Sequence, residues 1–519
     1  MGCIVPSAKG NGIIAINPEK IKKRVIQPTN TDIRKNYEFI STLGHGAFGK
    51  VRLYRDRNYK DLLFAIKTLR KEGIPKFQFD LLKSEVSILS DLDHPNIVKY
   101  FGTFEDEYYI HILMEYLKGH DLNKIIALKK YTGFEEKDMA KIIQQLLKAL
   151  SFIHSKNIVH RDIKPENILF SNKKDYTTLK LIDFGLATTK RSKEEVGTPV
   201  FMAPEMTKGD SCPKSDIWSV GIIVYLMITG LYAFDHVKND VNYQVLFKKI
   251  RREKYDIEPL IKSECSNEAK DFIEGCLAKN INTRFSTQQC LDHPWLQKFC
   301  SKNDSNTFNN DAKNILLGFA KKSALQKEIY YFIAKVSVES DLTELKKFFS
   351  QLDKNNNGIL SKEDIQIGFK DIGIEMTNEE LQIIWKGLDF HKDGKINYSE
   401  FLGAMMSSNH EENDEKLLSV FNLFKDNKKN KNYITYQSMS NAVKALNLKI
   451  DENELKNCFK EFDEELKYED FKRIIIGEEE KEEKYDREST KVGRAYTGNK
   501  KTDDNNNNTY FKTRTYYKK

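Results

Sequence analysis

Apolar and polar positions are arranged in five different ways along this chain. Residues 1–36 show neither helical nor strand periodicity and contain Pro6, Pro18 and Pro28, which reads as a flexible leader. From 37 to about 298, strand-like and helix-like segments alternate densely, and one run within them, IWSVGIIVYLMITGLYAF (217–234), is apolar for most of its length. Because Ser, Gly and Thr interrupt that run, it predicts a helix buried in a large core rather than a membrane span. Residues 299–346 open on a polar linker, FCSKNDSNTFNND (299–311). After it Leu325, Ile329, Phe332 and Val336 recur at helical spacing beside Lys321, Lys322 and Lys327, predicting one amphipathic junction helix. From 347 to 477, apolar helical segments are separated by short Asp- and Asn-rich loops. The remainder, 478–519, carries a Glu/Lys run, DDNNNN and a Lys/Arg/Tyr-rich end, the composition of a disordered tail.

A repeat organises the helical stretch. Acidic loop starts fall at Asp353, Asp389, Asp426 and Asp463, spaced by 36, 37 and 37 residues, which predicts four units in two pairs. The 519 residues, 39% hydrophobic and 31% charged, allow two to four domains with a sizeable core. A net charge of +8 spread over that length forms no basic stripe, so nucleic acid is not an expected partner. Seven scattered cysteines with no CxxC point to a reducing, cytoplasmic setting without disulfides or a zinc site.

Phosphate chemistry appears in the second stretch. LGHGAFGKV (43–51) sets Gly44, Gly46 and Gly49 in a pattern that lets hairpin amides approach phosphates, since no Cβ intervenes. Alone that pattern is weak, because dinucleotide-binding proteins share it. Here the next segment is LLFAIKTL, an apolar strand carrying Lys67, rather than a helix and a ribose-binding acid. HRDIKPEN (160–167), DFG (183–185) and APE (203–205) follow in order. Together these motifs resemble the protein kinase family over about 37–298.

That resemblance implies an α+β two-lobed protein kinase fold with ATP between the lobes. It also implies roles for individual residues. Leu43 and Val51 flank the nucleotide with the three glycines, Lys67 holds the α- and β-phosphates, and Glu85 holds Lys67. Met114 is the gatekeeper, and Glu115 to Leu117 form the adenine hinge. Asp162 accepts the substrate hydroxyl's hydrogen bond, Lys164 marks a Ser/Thr kinase, and Asn167 and Asp183 hold Mg²⁺. Glu205 pairs with Arg284. In the activation segment, Glu194 and Glu195 are expected to supply Arg161 with negative charge without phosphorylation of Ser192 or Thr198.

Calcium chemistry appears in the fourth stretch. A twelve-residue loop supplies oxygens from its positions 1, 3, 5, 7, 9 and 12, with Gly at position 6. DKNNNGILSKED (353–364) offers Asp353, Asn355, Asn357, the Ile359 carbonyl, Ser361 and Asp364 around Gly358, although Asp364 is a methylene shorter than the usual Glu. DFHKDGKINYSE (389–400) offers Asp389, Asp393, the Lys395 carbonyl, Asn397 and Glu400 around Gly394, with His391 a poor ligand at its third position. The third loop places Lys where oxygens are needed and the fourth is too short, so two Ca²⁺ at most are expected.

A kinase, a junction and four EF-hand repeats resemble the calcium-dependent protein kinases, which implies an all-α EF-hand domain after the kinase. The resemblance implies a junction helix that blocks the kinase at rest and is withdrawn by the helical repeats when calcium binds. The rival readings are a constitutive kinase whose helical tail only docks partners, and a calcium-responsive scaffold with an inert kinase domain. MGCIVPS offers Gly2 and Cys3 for acylation and membrane attachment, with Pro6 where Ser or Thr is usual. Expected partners are proteins with Ser or Thr near basic residues, which Asp121 and Glu166 would read, and a monomer is expected.

Overall fold

The computed structural model describes residues 33–46, 49–57, 63–73, 76–129, 133–173, 178–190, 193–234, 243–300, 311–337, 342–408, 414–425, 432–445, 448–460 and 465–477. The acylation candidates Gly2 and Cys3, the loop starts Asp426 and Asp463, and the whole 478–519 tail lie outside them.

Five antiparallel strands make the first layer: β1 (Tyr37–Gly46), β2 (Gly49–Asp56), β3 (Leu63–Arg70), β4 (Tyr100–Glu105) and β5 (Tyr109–Glu115), in the order β1-β2-β3-β5-β4. Apolar and β-branched residues such as Ile66 and Leu113 favour the pleat and bury one face with Tyr37, Tyr54 and Phe104. Helix α1 (Lys76–Asp91) packs against β4. Register fixes the site from the start: Gly46 faces Gly49 at the hairpin end, Val51 faces Lys67, and Ala65 faces Met114.

Below the sheet, α2 (Glu136–Ser155) buries Ile142, Leu146 and Leu150, and the long apolar run becomes α3 (Pro213–Thr229). Pro213 opens α3 and Gly230, at φ +68°, closes it, which is the expected asymmetry of helix ends. Every residue from Ser215 to Met227 is buried, so the run is a core helix, and no helix among the described residues is long and apolar enough to cross a membrane. Each fully buried Leu, Ile or Phe there contributes roughly 1.5–3 kcal/mol. Two short paired strands follow the 160–167 loop, β6 (Ile168–Phe170) directly after it and β7 (Leu179–Leu181) just before Asp183.

The junction forms two helices where one was expected, α4 (Asp311–Ala320) and α5 (Ala324–Val336). The break has a local cause. Ser323 Oγ accepts from the Gln326 amide while Gln326 Oε1 accepts from the Ser323 amide, a capping box that starts a new helix. The four repeats then form as two pairs. The first comprises α6 (Thr343–Leu352), β8 (Ile359–Leu360), α7 (Lys362–Asp371), α8 (Asn378–Leu388), β9 (Ile396–Asn397) and α9 (Tyr398–Met406). The second comprises α10 (Asp414–Phe424), β10 (Ile434–Thr435), α11 (Tyr436–Ala445), α12 (Glu452–Phe459), β11 (Glu465–Leu466) and α13 (Tyr468–Ile476). Strand β8 pairs with β9 and β10 with β11, joining the loops of each pair.

The apolar face of the junction lies inside this helical half. Leu316, Phe319, Leu325, Ile329 and Ile333 share one core with Phe348, Phe401, Phe421 and Phe471. Two glycines let the helices meet closely: a Cβ at Gly387 would fall 2.5 Å from Ala320 Cα, and one at Gly403 would fall 2.9 Å from the Tyr330 backbone.

Candidate active site and ion-binding loops

Lys67 leaves the middle of β3 and reaches α1. Its Nζ lies 2.6 Å from Glu85 Oε1 and 3.2 Å from Asp183 Oδ1. Burial alone would strip that ammonium of its proton, but Asp183 and Glu85 outweigh the desolvation and hold its pKa above the ordinary lysine range. Burial likewise pushes Asp183 up, and Lys67 more than offsets it, leaving Asp183 below the usual carboxylate range. Asp183 sits at φ +59° and Arg161 at φ +67°, left-handed positions that the surrounding packing must hold against strain.

The catalytic loop brings its residues together around Asp162. Lys164 Nζ is 2.7 Å from Oδ2, Asn167 Nδ2 donates to the Asp162 carbonyl (2.8 Å) and to Oδ2 (3.2 Å), and Thr198 Oγ1 donates to Oδ1 (2.7 Å). Thr198 is buried, so it serves as a clamp on Asp162. Sequence reasoning had placed it only among activation-segment hydroxyls. Asp216 was missed altogether. Buried at the start of α3, it accepts from the His160 and Arg161 amides (3.0 Å each) and from His154 Nε2 (2.8 Å). Burial pushes Asp216 up, and the His154 contacts bring it below the ordinary range. The Asp in SDIWSVG was the available signal, an acid within an apolar run.

Other expected pairs are present. Arg284, with 0% exposure, donates from Nη1 and Nη2 to both Glu205 oxygens at 2.7 and 3.0 Å. Arg161 Nη1 lies 3.7 Å from Glu194 Oε2. Gly49 has a packing reason besides any ligand, since a Cβ there would fall 2.4 Å from the Thr68 carbonyl oxygen. Asp121 Oδ1 accepts from the Lys124 amide, so the residue caps a helix start. At the hinge the Glu115 side chain accepts from the Lys99 amide (2.6 Å) and meets Lys180 Nζ (3.2 Å). This was not foreseen. The Lys99 ammonium in turn donates to the Ala334 and Ser337 carbonyls at the end of α5 (3.3 and 3.2 Å).

Lys99 is one of several links between the halves. Ser399 donates to Asp93 from both N (3.0 Å) and Oγ (2.9 Å), and Lys346 Nζ donates to the Pro95 carbonyl. The 353–364 loop faces the first half of the molecule directly: a Cβ on Gly358 would stand 2.1 Å from the His94 ring, and Ile359 packs on that half's core.

The 353–364 and 389–400 loops share one turn geometry. Asp353 accepts from the Asn357 and Gly358 amides, and Asp389 accepts from those of Asp393 and Gly394. Gly358 at φ +71° and Gly394 at φ +76° make the turns that only glycine adopts without strain. In the first loop Asp364 Oδ2 accepts from the Ser361 amide (2.9 Å) and hydroxyl (2.7 Å), while burial raises Asp353 to about 6. In the second loop His391 lies between Glu400 and Glu328. Burial works against its charge, but the two carboxylates outweigh it and raise the imidazole to about 9.

A sheet over a helical lobe, with a buried Lys–Glu pair facing a held aspartate, is the architecture of a protein kinase. The protein kinase domain family matches residues 37–296, and the EF-hand domain pair family matches 342–406. Calcium-dependent protein kinase 4 of Plasmodium falciparum (isolate 3D7) is 32% identical over 422 residues, 77% of this chain and 78% of that protein. Calcium-dependent protein kinase 14 of Arabidopsis thaliana is 31% identical over 424 residues, 80% and 78%. Calcium-dependent protein kinase 20 of Oryza sativa subsp. japonica is 31% identical, covering 77% and 72%. The chain belongs to the calcium-dependent protein kinase family.

Proposed function

We propose that this chain is a calcium-activated serine/threonine kinase that moves the γ-phosphate of ATP to a protein hydroxyl. The observation that carries the reading is the Lys67–Glu85–Asp183 cluster, assembled in the same chain as an ion loop seated on the kinase half.

The residues present fit Mg²⁺ and ATP. Asp183 Oδ1 takes both the Lys67 and the Gly185 contacts, which leaves Oδ2 for a cation. Asn167 uses its Nδ2 on Asp162, so its amide oxygen is the free end. Bound Mg²⁺ neutralises phosphate charge. Lys67 orients the α- and β-phosphates beneath Gly44, Gly46 and Gly49, and Leu43 and Val51 cover the adenine. Met114 backs it, and the Glu115–Leu117 backbone holds its edge because the Glu115 side chain is turned to Lys99 and Lys180. Asp162 accepts the substrate hydroxyl's hydrogen bond and aims it in line, while Lys164, 2.7 Å from Oδ2, fixes that carboxylate's position. Glu194 neutralises Arg161 without phosphorylation.

The first loop fits Ca²⁺ through Asp353, Asn355, Asn357, the Ile359 carbonyl and Asp364, and the bound ion supplies the charge that offsets two buried carboxylates. At rest the 299–346 junction covers the catalytic cleft. Once the first pair is loaded, its helices open an apolar groove, α4 and α5 seat there as described above, and the cleft is left free. Glu166 reads basic residues near the target Ser or Thr, and the enzyme works as a monomer in the cytoplasm, held to a membrane face by acylated Gly2 and Cys3.

Phosphorylation of a basic Ser/Thr peptide, titrated with free calcium, tests this reading. The rate should rise with calcium and vanish in Asp162→Asn. An equal rate in chelator and calcium would make the helical half a docking module, and no transfer in either condition would leave only the scaffold reading.

A further inference from the structure

The two loops of the first pair differ at their third position, and the difference is built into the fold. Asn355 in the first loop carries an oxygen. In the second, the His391 ring reaches two carboxylates at once: Nδ1 is 2.5 Å from Glu400 Oε1, and Nε2 is 3.1 Å from Glu328 Oε1. Glu400 closes the loop, and Glu328 belongs to α5, 63 residues earlier in the chain. Both are nearly inaccessible, at 0% and 2% exposure, where an unpartnered carboxylate is costly. Aromatic rings hold the imidazole in place, Tyr331 edge-on at 5.2 Å and Phe390 at 4.4 Å.

An ion in this loop needs both Glu400 oxygens. Oε1 faces the His391 ring, and Oε2 accepts from the Asn397 amide at 2.7 Å. No trio of His, Cys, Asp or Glu among the described residues is gathered for a metal in either loop, and what sets the second apart is the His391 ring at its third position, against the closing carboxylate. The second loop as folded therefore does not fit Ca²⁺.

We propose that the His391 side chain takes the place of an ion in the second loop, its ring lying between the closing Glu400 and Glu328 of α5. It closes the loop on Glu400 and staples it to the junction through Glu328, so that calcium enters the first loop alone. Once α4 and α5 are seated, the second loop holds α5 by His391 and the kinase half by Ser399 on Asp93. The first loop, whose Gly358 meets His94, carries the exchangeable ion. This deepens the calcium-activated reading and rests on it only for the first loop's ion.

Calorimetric titration of Ca²⁺ into the full chain tests the proposal by counting sites. Wild type should bind one ion, Asp353→Ala none, and His391→Asp, which puts an oxygen at the third position, two. Glu328→Gln leaves every loop residue in place and should also admit a second, weaker ion, which guards against a misfolded loop variant. A wild-type count of two, or a count of one in both His391→Asp and Glu328→Gln, overturns it. The kinase reading fails on a different measurement, the chelator comparison of phosphorylation rates.

Discussion

The kinase half and the first calcium loop both bury carboxylates, and they neutralise them in opposite ways. Glu85 and Asp183 meet Lys67, Asp162 meets Lys164, Glu205 meets Arg284 and Asp216 meets His154. Each partner is part of the fold. Asp353 and Asp364 rest instead on backbone amides and the Ser361 hydroxyl, and burial raises Asp353. The first set is neutralised by side chains of the fold itself, whereas the carboxylates of the 353–364 loop rest on neutral donors. The second loop lies between the two, with the first loop's backbone turn and an internal partner for its carboxylate in His391.

That contrast can be broken at several points. The largest effect is expected at Asp162→Asn, which should lower kcat by about 10²–10⁴-fold with little change in KM for ATP, while calorimetric calcium binding is untouched. Arg284→Ala strands a buried Glu205 and should cost about 3–5 kcal/mol, read as a lower urea midpoint for the kinase half. Gly403→Leu overfills the α5–α9 crossing by about 1–3 kcal/mol and should abolish the calcium response while leaving the kinase transition in place.

Smaller changes sharpen it. Lys99→Met removes two contacts to the end of α5, worth about 1 kcal/mol, and should raise KM for ATP roughly fivefold at saturating calcium with kcat little changed. Glu194→Gln breaks a half-exposed 3.7 Å contact worth under about 1 kcal/mol. It should lower kcat by less than about fivefold, and wild type stripped by phosphatase should keep its rate.

Much of the catalytic site was legible because phosphoryl transfer demands particular residue types within short contiguous segments. Lys67, Asp162, Asn167 and Asp183 lie in those segments, and α3 was readable as core from its long apolar run. Thr198, Asp216 and Lys99 were not readable in the same way. Their roles come from partners 36, 55 and 235 residues away, and nothing local marks a buried acid that will cap someone else's backbone. The junction shows the same limit: its period announced an apolar face, and the Ser323 capping box that splits it lay in plain view, yet neither names the surface that covers the face.

Local chemistry along the chain thus marked candidate residues for phosphate and candidate loops for an ion, because each depends on neighbours a few positions apart. Tertiary structure alone decided that α4 and α5 lie among the EF-hand helices, that Gly358 meets His94, and that His391 faces both Glu400 and Glu328. Those outcomes depend on which buried surfaces and charges find each other across hundreds of residues. Periodicity and spacing carry no record of that choice.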